Sequence, residues 1–189
     1  MPVDALTEEQ KSVVYHPLGK HARVLAVAGS GKTTTGMALL NAGWKLLSND
    51  SPIVIANAEI LSYPGLLAAY PATLQRFAST QTLIPLNAYA NQKVVVAAET
   101  IWPNVWAERA EAQVIVFPQI ENRTEHLLEP LSQPEALRLL LPHAIEQWDK
   151  AMIPAHLATL NQLAQTARAY RLRLGPDTST LPEILGAIV

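Results

Sequence analysis

The chain contains no cysteine, which excludes a disulfide framework and a thiolate metal site and fits a reducing compartment. No apolar run approaches the roughly 20 residues needed to span a bilayer. The start, Met1-Pro2-Val3-Asp4, lacks the basic residues and apolar core of a signal peptide. These absences lead us to expect a cytoplasmic protein with no membrane partner. Charge is also sparse: 16% of residues are charged and the formal net charge is -2. No basic stripe shows at the level of the whole chain, so nucleic acid is not expected as a partner. Internal repeats and low-complexity segments are missing too. The five histidines, His16, His21, His126, His143 and His156, have no helix-face ligand spacing, so a zinc site is not expected.

What is present is a chain of 189 residues, 49% of them hydrophobic. That suffices for one α/β domain with a sizeable core and leaves little for a second. We expect an amino-terminal helix and linker over 1–22 and a single domain over 23–189. Thr7 is a suitable N-cap for a short helix, with Gln10 at the capping-box position. Strands are expected over 23–28, 44–48, 94–98, 114–117 and 170–174, and a hairpin over 53–63. Val114 to Phe117 reads as a buried strand ending at Pro118, and Arg171 and Arg173 as a solvated strand face. Helices are expected over 32–42, with Gly43 at its end, and over 134–145, 154–169 and 181–188. Residues 66–78 read as short helical pieces, and 79–92 as loop.

The chain is organised around Ala26-Val27-Ala28-Gly29-Ser30-Gly31-Lys32-Thr33, which lies between an apolar run and a helical pattern. Strand, tight glycine loop and helix form the context of a phosphate-binding loop. Glycines let successive backbone N–H groups point into one concavity, and the helix start adds unpaired N–H groups and a positive dipole end. Gly29, Ser30, Gly31, Lys32, Thr33 and Thr34 are therefore the candidate cradle for the phosphates of ATP. Lys32 supplies charge at the β/γ-phosphates and the Thr33 hydroxyl is placed to ligate Mg²⁺. The pattern calls for glycine at position 26, where this chain has alanine. Asp50 is the best acidic candidate. It follows an expected strand whose carboxyl end would lie beside the loop, where it would reach Mg²⁺ or accept a hydroxyl proton. An aspartate capping the turn Ser48-Asn49-Asp50-Ser51-Pro52 accounts for it equally well. Trp102, Trp106 and Trp148 read as core or edge packing.

Two resemblances attach to these residues. From Gly29 onward the chain resembles the carboxyl-terminal domain of the HPr kinase/phosphorylase family, whose fold is shared with ATP-type phosphoenolpyruvate carboxykinase. The resemblance rests on residues 29–34, on Gly43-Trp44-Lys45-Leu46-Leu47-Ser48-Asn49-Asp50, and on Ile60-Leu61-Ser62-Tyr63-Pro64. It continues in Val114-Ile115-Val116-Phe117-Pro118, Leu128-Glu129-Pro130-Leu131-Ser132, Tyr170-Arg171-Leu172 and Leu181-Pro182. It implies an α/β P-loop nucleotide-binding domain, with a mixed sheet and flanking helices. It further implies an ATP- and Mg²⁺-dependent kinase that phosphorylates a serine-type hydroxyl on a protein or small-molecule acceptor. In that family an acidic pair handles the metal and the proton. Here the pair reads Asn49-Asp50, and Asn49 can ligate a metal but cannot take a proton at neutral pH.

Residues 6–35 are similar to the start of superfamily I DNA helicases, whose loop begins with alanine and whose amino-terminal glutamine reads adenine; Gln10 matches it. This resemblance stops near Thr35. The primary expectation is the kinase. A non-catalytic nucleotide-binding module and a helicase-related DNA-dependent ATPase are the alternatives. Assembly into a homo-oligomer stays open.

Overall fold

Two seven-residue strands carry the architecture, β7 (Val114–Ile120) and β9 (Arg168–Leu174). The computed structural model describes residues 23–24, 31–49, 52–78, 92–144 and 150–189. The expected helix and linker over 1–22 and most of the 79–92 segment lie outside the described residues. The other strands are β1 (Arg23–Val24), β2 (Ile53–Val54), β3 (Glu59–Leu61), β4 (Leu67–Ala69), β5 (Val94–Val96), β6 (Arg109–Glu111) and β8 (Leu127–Leu131). The α-helices are α1 (Lys32–Asn41), α2 (Pro71–Phe77), α3 (Gln133–Ala144), α4 (Ile153–Thr166) and α5 (Leu181–Gly186). The protein is mixed α/β, with sheets and flanking helices, as expected.

The main sheet runs β1-β7-β9-β8. β1 and β9 are parallel to β7, with Val24 opposite Val116 and Pro118 opposite Leu172, while β8 lies antiparallel against β9. Parallel pairing needs long crossovers, and α3 and α4 supply the one between β7 and β9. Strand alternation then sorts the side chains. Val114, Val116, Leu172 and Leu174 pack against Ala38 and Leu39 of α1 and Leu181 and Leu185 of α5. Ile115, Phe117 and Ala169 pack against Ala136 and Leu140 of α3 and Leu160, Leu163 and Ala164 of α4. Both faces are covered, which is why β7 opens as a continuous apolar run.

The opposite side of α1 carries Met37 and Leu40, which pack with Leu67, Leu74, Val96 and Val105. α1 is thus buried on two sides, and its apolar residues encircle it. Gly43 follows it at φ +87°, the left-handed conformation that ends helices. Pro71, Pro134, Pro154 and Pro182 each lie in a helix's first turn, where the missing N–H costs nothing.

The sequence-based expectations need four corrections here. β7 continues through Pro118 to Ile120. The described β1 ladder reaches only Val116, two residues before the proline, so it asks no N–H of residue 118. Residues 67–69 form a strand paired with β5, and only Pro71 onward is helical. Residues 44–48 do not form a regular strand: Leu46 bridges Trp106 and Ser48 bridges Tyr63. The helix expected over 154–169 ends at Thr166, and the strand expected over 170–174 already begins at Arg168.

Candidate functional site

Gly31 is the N-cap of α1, at φ +93° and ψ 5°. Only glycine takes this left-handed conformation without strain. The space around it is closed as well. A Cβ at position 31 would lie 2.3 Å from Leu174 Cδ1 and 3.3 Å from Ile120 Cγ1. The start of α1 is therefore pressed against the last residues of β9 and β7. In open α/β sheets, ligands bind outside the carboxyl ends of the parallel strands.

The helix begins with the Thr35 amide donating to the Gly31 carbonyl at 2.9 Å. The amides of Lys32, Thr33 and Thr34 precede any intrahelical acceptor. Gly31 has no side chain with which to cap this end, and no acidic residue lies in the first turn. The positive end of the helix dipole is thus left without a carboxylate from its own turn, an arrangement suited to an anion. Lys32, Thr33 and Thr34 are half-buried. Thr35 is completely buried, and its hydroxyl has no hydrogen-bond partner. Gly29, Ser30, Asp50 and Gln10 lie outside the described residues.

Asn49 is reached differently from the expectation. The described neighbour of β1 is β7, not the segment before Asn49. That segment hangs on Trp106 and Tyr63, outside the main sheet. The Asn49 amide donates to the Leu66 carbonyl at 3.3 Å. Position 49 is tied to the smaller sheets because residues 44–48 are too short and irregular to extend the main one.

Sequence reasoning missed an ionic ladder at the same end of the sheet. The Arg173 guanidinium donates to Glu121 at 2.7 Å and to Glu129 at 2.7 Å. Arg171 lies 4.0 Å from Glu129, and Arg123 lies 3.9 Å from Glu121. Arg171 and Arg173 are paired and half-buried, which corrects the expected solvated face. The Glu129 carboxylate raises the affinity of the Arg173 guanidinium for its proton. Glu129 faces Arg171 across the strand pair, a favoured cross-strand arrangement. Glu121 was findable as the first acidic residue after the apolar run of β7. Its hydrogen-bond partner Arg173, 52 positions away, was not.

Two further carboxyls are held below their usual range by hydrogen bonds to the charged form. Ser132 donates its hydroxyl and amide to Glu135, and Ser179 does the same for Asp177. Glu135 thereby closes the start of α3, and Asp177 fixes the turn after β9.

A cleft of about 510 Å³ lies between Asn57, Ala58, Glu111, Gln113, Thr166 and Arg168. It opens at the amino ends of β7 and β9, roughly 20 Å of strand away from Gly31, so it is no part of the α1 site. Among the described residues, no three His, Cys, Asp or Glu side chains converge to hold a metal. A Mg²⁺ carried on phosphate oxygens, with one hydroxyl and water, needs no such trio. The hydroxyl of Thr33, beside the helix start, fits that donor set. No helix of the described residues is long and apolar enough to cross a membrane. Compared with known proteins, the chain matches no protein-family model, no curated protein and no solved structure.

Proposed function

We propose that this protein is an ATP-binding P-loop kinase that transfers the γ-phosphoryl group to a serine-type hydroxyl on a protein or small molecule. The observation that carries the reading is Gly31. It combines a left-handed backbone, close contact with the side chains of Leu174 and Ile120, and a position at the carboxyl ends of two parallel strands. A helix start with Lys32 and Thr33, and no acidic residue in its first turn, follows it directly. The ordered resemblance from Gly29 to Pro182 supports the kinase over other nucleotide chemistry.

In this reading the amides at the start of α1 and those of Gly29 and Ser30 hold the phosphates. The Lys32 ammonium meets the charge that develops on the transferred group. Thr33 and Asp50 would hold Mg²⁺, which supplies neutralisation of the phosphate oxygens when bound. Asp50 receives the proton of the acceptor hydroxyl. Purified protein incubated with labelled ATP, serine, small hydroxy-metabolites and cell extract tests the reading. Wild type is expected to transfer label, and Lys32→Ala to lose at least about a hundredfold in rate. Transfer by neither protein would remove the kinase reading.

A second reading, a non-catalytic nucleotide-binding module, is favoured by Asn49. Its amide serves a backbone carbonyl in the small sheets, and an amide cannot act as a base. Asn49→Asp separates the two readings. Activity gained from a silent wild type supports the module, whereas an active wild type excludes it.

A further inference from the structure

Two loops rim the start of α1. One follows β7 and begins where Ile120 meets Gly31; the other follows β9 and begins where Leu174 meets Gly31. The second continues into the short helical turn Thr178–Thr180, which rests on α1. The loops touch closely at Gly175, where a Cβ would lie 2.9 Å from the Glu125 carbonyl carbon. One side chain then joins them. The Gly175 amide donates to Nδ1 of His126 at 2.9 Å. A backbone amide can only donate, so Nδ1 must carry no proton. The proton of the neutral ring is on Nε2, which donates to the Asp177 carbonyl.

We propose that His126 is a proton-sensitive clasp that holds together the two loops rimming the start of α1. Protonation of Nδ1 replaces an acceptor with a donor facing the Gly175 N–H, so that bond cannot survive in the imidazolium. Among the described residues, the Asp177 carboxylate on the opposite loop lies in the field of the ring. Asp177 is already committed to Ser179 through its amide and hydroxyl. Acidification therefore exchanges two bonds across the rim for one, the Nε2–H bond to the Asp177 carbonyl, and the rim loosens at Gly175. Histidine is the side chain that changes charge between about pH 5 and pH 8, which makes this exchange reachable under ordinary conditions.

The test uses the full ¹⁵N-labelled chain without nucleotide. At about pH 8 the ring nitrogens are expected to report the Nε2–H tautomer. Protection of the Gly175 amide from exchange, corrected for intrinsic rate, is expected to fall at least about tenfold by about pH 5. In His126→Asn, whose amide oxygen accepts near the Nδ1 position without titrating, protection is expected to vary less than about twofold over that range. A proton on Nδ1 at neutral pH, or pH-independent protection in wild type, overturns the clasp, and neither measurement needs the variant to fold. Affinity for a fluorescent ATP analogue is measured in parallel. A clasp that titrates in a protein without nucleotide affinity leaves this inference standing and removes the function proposed above.

Discussion

The two faces of β7 and β9 are built from alternate residues of the same strands, yet they end differently. On the α1 and α5 face, apolar residues run to the tip: Val114, Val116, Leu172 and Leu174 are all buried. On the α3 and α4 face, the apolar run stops at Phe117 and Ala169, and Arg171, Arg173, Glu121 and Glu129 take over. The difference follows from what each face must deliver. α1 has to bring its first turn to the carboxyl edge, so packing must continue to that edge. α3 and α4 are connecting helices with no such duty, and a cross-strand ionic ladder finishes the sheet where they leave it.

The comparison breaks most severely if the continuous apolar face is hollowed. Leu172 is fully buried at the centre of that face. Leu172→Ala is expected to cost about 2–5 kcal/mol, read as a lowered urea midpoint with an unchanged slope. Next is the tip itself. Gly31→Ala must adopt φ +93° and displace Leu174. About 1–2 kcal/mol for the left-handed backbone and about 1–3 kcal/mol for overpacking give an expected loss of about 2–5 kcal/mol, with loss of ATP-analogue binding. Unchanged binding in Gly31→Ala would mean that the apolar face does not position a phosphate site.

The smallest effect belongs to the ionic side. Glu135, bonded by Ser132 and lying in the field of Arg171, has its carboxyl lowered in the folded protein. A lowered folded value means that its contribution is complete above the unfolded carboxyl range and is lost as pH falls through the folded value. Ser132→Ala is expected to flatten that part of the acid-unfolding curve. Urea titrations of both proteins at a series of acid pH values measure it. An acid profile identical to wild type would show that the cap at Glu135 is not linked to stability.

Local patterns made much of the fold legible. The run Val114 to Phe117, the proline-opened helices and the Gly43 stop each act over a few residues, and the structure places them within a few positions of the expectation. The hairpin at 53–61 was readable because Asn57 and Ala58 turn the chain with positive φ between two apolar pairs. Leu67 to Ala69 was misread because the alanine-rich stretch has no strong period and is held as strand by pairing with Val94 to Val96. At the candidate site, Gly31, Lys32 and Thr33 were visible as a motif. The contact that makes Gly31 obligatory comes from Ile120 and Leu174, and such distant pairings leave no trace in a local pattern. His126 carries no local signal for the same reason, since its partners Gly175 and Asp177 lie about 50 positions on.

Pro130 lies within β8, the last strand of the main sheet, opposite Tyr170. A proline belongs in an edge strand only with its nitrogen turned away from the neighbour. The outer margin of β8 therefore lacks a donor at the fourth of its five residues. A strand from another molecule laid along it would find that rung of the ladder missing. One imino acid thus ends the sheet as a template on that side and turns an edge that would invite polymerisation into a finished border.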